Sequence, residues 1–337
     1  MKKNPTLVIT GAAGQLGSAL VERLSREKYT IICLIKEHHR TDYLEKLNVQ
    51  KIIPCDLKDP KTYAKHIPEN AIIFHCYSLS PGANATLQKY MQENALATKI
   101  LLDVAKQKKV QQVIYMSSCS VIGPKATPGH SISEDDPVAP NEPYGKSKLE
   151  AEKEVQTFHQ ETKIPSLILR IFPLYGPYAH LNSTPIRICK LLQKKRFFMV
   201  GNGNNYYEFC YTKNAAEGIY LAFQKLKMGI HVLNISEPIK RTYNEVIHEI
   251  AKYVNPNVKI VRIPVPLALL IGYGGEMAFK LFHKRTITRL RTVQGLIGGW
   301  TSDCTKQVQL LDYQQPYTLE QGVAEFIQWA KEEKLVL

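Results

Sequence analysis

The sequence predicts a doubly wound α/β fold, in which helices cover both faces of a parallel sheet and a smaller lobe follows. Three observations carry that expectation. From Thr6 to about Phe172, short β-branched runs alternate with helical patterns. Most of these runs are apolar on both faces, as strands buried beneath crossover helices must be. The first run ends in a glycine-spaced turn that opens a helix, Gly11-Ala12-Ala13-Gly14-Gln15-Leu16-Gly17. Alternation of this kind implies right-handed crossovers between neighbouring parallel strands.

Taken in order, Thr6–Thr10, Thr30–Lys36, Lys51–Pro54, Ala71–Tyr77, Gln112–Ser117 and Ser166–Phe172 read as strands. Gln15–Lys28, Thr86–Lys108 and Tyr144–Gln160 carry helical periodicity between them. After Gly176-Pro177 the pattern is less regular, with the Gly/Asn segment 201–205 and several Pro-flanked stretches. The expected division is therefore a dinucleotide-binding domain over 1–176 and a substrate lobe over 177–337, with late segments free to return to the sheet. With no internal repeat and no low-complexity linker, the two lobes are expected to pack as one unit.

Composition narrows the function classes. Hydrophobic residues at 44% and charged residues at 22% are ordinary globular values. No run approaches the roughly 18 apolar residues that a membrane span needs. Basic residues do precede an apolar run at the start of the chain, but Thr6–Thr10 is too short for an export signal. The seven cysteines are scattered, odd in number and never Cys-x-x-Cys, which fits a reducing cytoplasm and no metal site. A net charge of +14 suits an anionic partner: nucleic acid, a membrane surface or a phosphorylated ligand. The clusters Lys190–Arg196 and Lys280–Arg291 lack the aromatic interleaving or zinc spacing of a nucleic-acid module, so no nucleic-acid partner is expected.

The turn Gly11-x-x-Gly14-x-x-Gly17 points to a Rossmann-type dinucleotide site. The first glycine makes the tight turn, the second lets backbone N–H groups approach a pyrophosphate, and the third allows close helix–strand packing. Gln15 and Leu16 open a helix whose positive end faces the phosphates. Tyr144 and Lys148, at i and i+4, share one helix face. With 18 tyrosines in the chain, such a pair arises by chance, so position carries the inference. The pair opens a helix before the last strand of the sheet, and Ser117-Ser118 lies at the end of the fifth, where ligands of open α/β sheets bind. The chemistry is coherent. A tyrosine with a pKa of about 10 must be pulled to neutrality to act as a base, at a cost of roughly 4 kcal/mol. A nearby ammonium and an oxidised nicotinamide both favour the phenolate, and a serine hydroxyl can hold the substrate oxygen.

These motifs, together with Asp56-Leu57, His75, Asn94, Val121-x-Gly123 and Arg170…Tyr175-Gly176-Pro177, resemble the extended short-chain dehydrogenases/reductases. That family includes nucleotide-sugar epimerases and dehydratases and a 3β-hydroxysteroid dehydrogenase-like branch. The resemblance implies Tyr144 as acid/base, Lys148 as its electrostatic partner and ribose ligand, and Ser118 as donor to the substrate oxygen. Asp56 and Leu57 would flank the adenine, and Asn94 would lie near the cofactor; Ser117, Tyr77 and Pro173 complete the expected cofactor wall. It also implies a homodimer paired through the helices Thr86–Lys108 and Tyr144–Gln160.

Three departures bear on specificity. Tyr77 stands where small residues are usual, either turned to solvent or forming the pocket wall. The second strand ends in Ile35-Lys36 where NAD enzymes place an acid, which favours NADP over NAD; Glu37 is the alternative acid if the register differs. Pro173 replaces an amide-bearing residue that contacts sugar nucleotides in many members. The late segments Pro264–Ile271 and Met277–Phe282 are apolar. They read either as core with an amphipathic surface helix, or as a lipophilic substrate lid touching an anionic membrane through His283, Lys284, Arg285, Arg289 and Arg291. The expected activity is hydride transfer at a secondary alcohol or ketone of a lipophilic small molecule. The alternatives are a nucleotide-sugar epimerase or dehydratase, and a non-catalytic dinucleotide-binding regulator.

Overall fold

In the computed structural model, which describes residues 5–83, 85–123, 130–282, 293, 295–297 and 301–337, seven parallel strands form the central sheet. They are β1 (Thr6–Thr10), β2 (Thr30–Ile35), β3 (Lys51–Pro54), β4 (Ile72–His75), β5 (Gln112–Ser118), β6 (Ser166–Ile171) and β7 (Ile230–Ile235). Their spatial order is β7-β6-β5-β4-β1-β2-β3. The order reverses between β1 and β4, so the loops leaving those two strands diverge and open a crevice at their carboxyl ends. The register sets Thr10 beside His75 and Ser118 beside Ile171.

Alternate residues of each strand enter different cores, which is why the strands read as apolar on both faces. Leu7, Ile9, Cys33 and Phe74 pack under α1 (Gln15–Ser25), while Val8, Ile32, Ile73 and Tyr115 pack on the opposite face. That second face is covered by two helices. α2 runs Leu87–Tyr90, passes through a π-helical stretch Met91–Leu96, and resumes over Ala97–Gln107; α3 spans Pro143–Thr162. The six strands and three helices expected from periodicity are all present, with no end moved by more than three residues.

Beyond residue 176 the chain builds a third core and also returns to the sheet. α4 (Thr184–Leu192), α6 (Tyr243–Val254) and the final helix enclose Ile186, Phe197, Met199, Ile247 and Phe326. Between them, α5 (Thr212–Lys225) packs against α1, and β7 extends the sheet alongside β6. A parallel ribbon pairs Arg196–Val200 with Lys259–Ile263 and leads into α7 (Val265–Phe282). α8 (Thr305–Leu311) and α9 (Leu319–Glu332) close the chain. Leu267, Leu270 and Ile271 of α7 are exposed, so this segment is neither core nor a closed apolar wall. The side chain of Phe279 and the residues His283, Lys284, Arg285, Arg289 and Arg291 lie outside what is described. Among the described residues, no helix is long and apolar enough to cross a membrane.

Candidate active site

The glycine turn after β1 is built by exclusion of side chains. Gly11 has a φ of 64°, a left-handed conformation that favours glycine. A Cβ on Gly11 would stand 2.7 Å from the backbone of Tyr77, and one on Gly17 would stand 2.2 Å from the Gly11 carbonyl oxygen. The Gly14 N–H donates to that same carbonyl at 2.9 Å. α1 starts from Gly14 with no side-chain cap, which leaves its first N–H groups for a ligand. The Gln15 amide reaches the Gly176 carbonyl at 3.4 Å, and Leu16 packs half-buried on the core.

At the outer edge of the crevice, Lys36 is the first residue past β2 and is exposed, as are Glu37 and Asp56. Asp56 accepts the Lys58 N–H at 3.0 Å and so shapes the turn after β3, above a buried Leu57. Arg40, four residues beyond Lys36, is committed to Asp42 and Glu333.

Tyr77 turns neither fully outward nor into an open wall. It is half-buried, and its hydroxyl donates to Glu93, a buried carboxylate that also receives Lys58 at 2.5 Å and Lys89 at 2.8 Å. The Tyr77 N–H donates to Thr10 Oγ1, whose other partner is His75 Nδ1 at 2.7 Å. Burial drives the His75 pKa down to about 3, so this imidazole is neutral and holds the two strand ends together.

The inner end of the crevice joins α3 to the loops after β4 and β5. A Cβ on Gly145 would meet the Ser120 carbonyl oxygen at 2.4 Å; that close approach brings the start of α3 onto the turn after β5, with Tyr144 beside Ser118. Burial pushes the Tyr144 phenol up to about 12, and Ser78 and Ser118 pull it down. Ser118 also donates to Ser120 Oγ at 3.1 Å, and Tyr90 meets the Tyr144 ring edge-on with centroids 5.8 Å apart. Lys148 is buried. Its ammonium donates to the Met116 carbonyl at 2.5 Å and lies 4.3 Å from the centre of the Tyr115 ring. Burial brings its pKa down to about 7 while Glu152 opposes that fall. In the protein alone, therefore, the phenol stands above neutrality.

Asn94 works as a clasp. Its Oδ1 accepts the Leu79 N–H at 2.7 Å and the Ser78 hydroxyl at 3.2 Å, while its Nδ2 donates to Ser147 at 2.9 Å. Ser147 in turn donates to the Tyr144 carbonyl at 2.7 Å. Asn94 lies within the π-helical stretch of α2, a distortion often found at functional sites. Ser117 faces the other way: its hydroxyl donates to Glu152 at 2.5 Å, and Glu152 holds Arg170 at 3.0 Å in a buried pair. Pro173 is half-buried, with its carbonyl accepting the Cys210 N–H at 2.7 Å.

The structure thus gathers Ser118, Tyr144, Lys148 and Asn94 at one end of the crevice and the glycine turn beside them. Lys36, Asp56 and Leu57 lie along the outer edge, and Ser117 is spent on an internal pair. Ser78, Tyr90, Glu93 and Ser147 were missed by sequence reasoning. They stand at unremarkable spacings, and only the two-residue distance of Ser78 past His75-Cys76 places it at a strand end.

Comparison with known proteins identifies the family. A family model, the NAD dependent epimerase/dehydratase family, matches residues 7–236. An Escherichia coli O157:H7 relative, N-acetyl-alpha-D-glucosaminyl-diphospho-ditrans,octacis-undecaprenol 4-epimerase, is 26% identical over 71% of this chain and 71% of its own. The sterol-4-alpha-carboxylate 3-dehydrogenase of Dictyostelium discoideum is 25% identical over 94% of this chain and 98% of its own. Among solved structures, a Bacillus cereus UDP-glucuronic acid 4-epimerase in complex with NAD has the same fold, with a TM-score of 0.75 at 23% identity over 97% of this chain and 96% of that one. The glycine turn, the Ser118–Tyr144–Lys148 group and the matched residues lead to one conclusion: the chain is an enzyme of the NAD dependent epimerase/dehydratase family.

Proposed function

We propose that the protein transfers hydride between a nicotinamide dinucleotide and a secondary alcohol or ketone on a lipophilic substrate. The observation that carries the chemistry is the close approach of Gly145 to the Ser120 carbonyl, which sets Tyr144 at the start of α3 against the Ser118 turn at the carboxyl end of β5. The cradle that Gly11, Gly14 and Gly17 leave open fits a pyrophosphate, because a Cβ at either Gly11 or Gly17 would strike backbone. When bound, a nicotinamide dinucleotide supplies or accepts the hydride, and its oxidised form adds a positive charge that favours the phenolate. Tyr144, with a pKa near 12 in the protein alone, holds its proton at neutral pH and is ready to donate it to a carbonyl oxygen. Ser118 steadies that oxygen, Lys148 supplies the nearby cation and a contact to the ribose, and Asn94 holds Ser78 and α3 in place.

For the cofactor, relatives solved with NAD support NAD, while an exposed Lys36 at the end of β2 supports acceptance of NADP. For the substrate, Pro173 offers no amide to a sugar nucleotide, and the Dictyostelium sterol dehydrogenase relative covers nearly the whole chain. The second reading, a nucleotide-sugar epimerase or dehydratase, is favoured by the UDP-sugar enzymes among the structural neighbours. In either case residues 1–176 would carry the cofactor and most of 177–337 the substrate, and two copies would pair through α2 and α3. The test combines a spectroscopic turnover screen, using both cofactors on lipophilic alcohols and UDP- and TDP-sugars, with calorimetric titration of UDP and TDP. Micromolar binding of either nucleotide would overturn the lipophilic reading in favour of the second.

A further inference from the structure

α7 is amphipathic in the reverse sense for a surface helix. Its protein side is made of small residues: Ala268, Gly272 and Gly275 are buried. Its outer side carries the large ones, with Leu270 68% exposed, Met277 60% and Tyr273 58%, flanked by Leu267 and Ile271. Positions 267, 270, 271, 274 and 277 follow the spacing of a single helix face. A Cβ at Gly274, in the middle of that face, would meet no atom within 4 Å. A contiguous apolar face held out in this way marks a surface that something apolar covers.

Charge identifies the cover. The ribbon that leads into α7 sets exposed Arg196 and Lys259 side by side in register, with Phe198 exposed two residues further along the same strand face. In sequence, the chain from Met277 to Ser302 contains no acidic residue and five basic ones, Lys280, Lys284, Arg285, Arg289 and Arg291. Basic residues that follow an apolar helix in sequence, with a basic pair on the ribbon that leads into it, match an anionic lipid surface, which takes an aliphatic face into its acyl boundary and charges at its headgroups. We infer that α7 is a membrane-docking helix, lying in the plane of an anionic bilayer surface on its Leu267–Met277 face.

This goes beyond the proposed activity and does not depend on it, because vesicle binding needs no turnover. The full-length protein is sedimented with phosphatidylcholine vesicles, with and without phosphatidylglycerol. Binding is expected only with phosphatidylglycerol, weakening as salt rises. The double variant Leu270→Asp, Met277→Asp is expected to bind about a hundredfold more weakly, since each buried aliphatic side chain is worth about a factor of ten. Arg196→Glu with Lys259→Glu should weaken binding while leaving the apolar face intact. If the Asp pair lowers the melting temperature, Leu270→Ser with Met277→Ser takes its place. Equal binding by the apolar-face variants, or none to anionic vesicles, would overturn the inference. So would light scattering that shows a dimer dissolved by Leu270→Asp with vesicle binding unchanged.

Discussion

Tyr144→Phe removes one hydroxyl from a half-buried ring, so the fold should persist while proton transfer does not. Turnover is expected to fall by at least about two orders of magnitude, with cofactor affinity, read by fluorescence quenching, close to wild type. Near-normal turnover would take Tyr144 out of the chemistry. At the other end of the crevice, Lys36→Ala tests the cofactor reading. Loss of a charge-assisted bond to a 2′-phosphate, worth roughly 1.5–3 kcal/mol, should weaken NADPH about tenfold and barely change NADH. Equal loss for both would place Lys36 away from the 2′ position. Tyr144, Lys148 and Ser118 were legible because helix geometry links i to i+4 and strand ends face the crevice. Ser117 was legible only as a motif member: its hydroxyl points to Glu152, a residue 35 positions away, and no local spacing records that choice.

The glycine turn and α1 form one element, and their contact has no slack. Gly17→Ala would press a methyl against the Gly11 carbonyl, with backbone on both sides. Overpacking of this kind is expected to destabilise by about 1–3 kcal/mol. It should also weaken dinucleotide binding, because α1 must shift from the turn whose N–H groups it orients. A melting temperature and cofactor affinity both at wild-type values would contradict the close approach. Gly145 serves α3 in the same way against Ser120. α2 differs from its sequence reading in one respect. Periodicity predicts an uninterrupted helix over Thr86–Lys108, whereas Met91–Leu96 widens to a π-helical stretch that seats Asn94 between Leu79 and Ser147. The bonds that reward this distortion come from a loop and another helix, so the pattern of apolar residues does not record it.

Across the whole molecule, buried carboxylates tie the later chain to the sheet. Glu208 binds Lys240 at 3.1 Å and receives the hydroxyls of Ser236 and Ser302, while Glu237 accepts the Tyr211 N–H at 2.8 Å and the Asn214 amide at 2.6 Å. Burial raises the Glu237 pKa from 4.5 to about 7, against the downward pull of Asn214 and Tyr211. Between those values the folded protein holds a proton that the unfolded chain has released, so this group's contribution to stability falls as pH rises from about 4.5 to 7. Glu237→Gln keeps an acceptor for both donors and removes the titration. Relative to wild type it should gain on the order of 2–3 kcal/mol between pH 5 and pH 8, measured by urea unfolding at each pH; a difference independent of pH would refute the raised pKa. By itself the sequence determined the doubly wound class, the glycine turn and the Tyr144–Lys148 pair, because each rests on local periodicity or on a turn that only glycine can make. Tertiary structure alone decided which late segment returns to the sheet as β7, the Asn94 clasp, the diversion of Ser117 and the outward face of α7. Each of these depends on which distant surfaces meet, and burial and hydrogen bonding are settled only when they do.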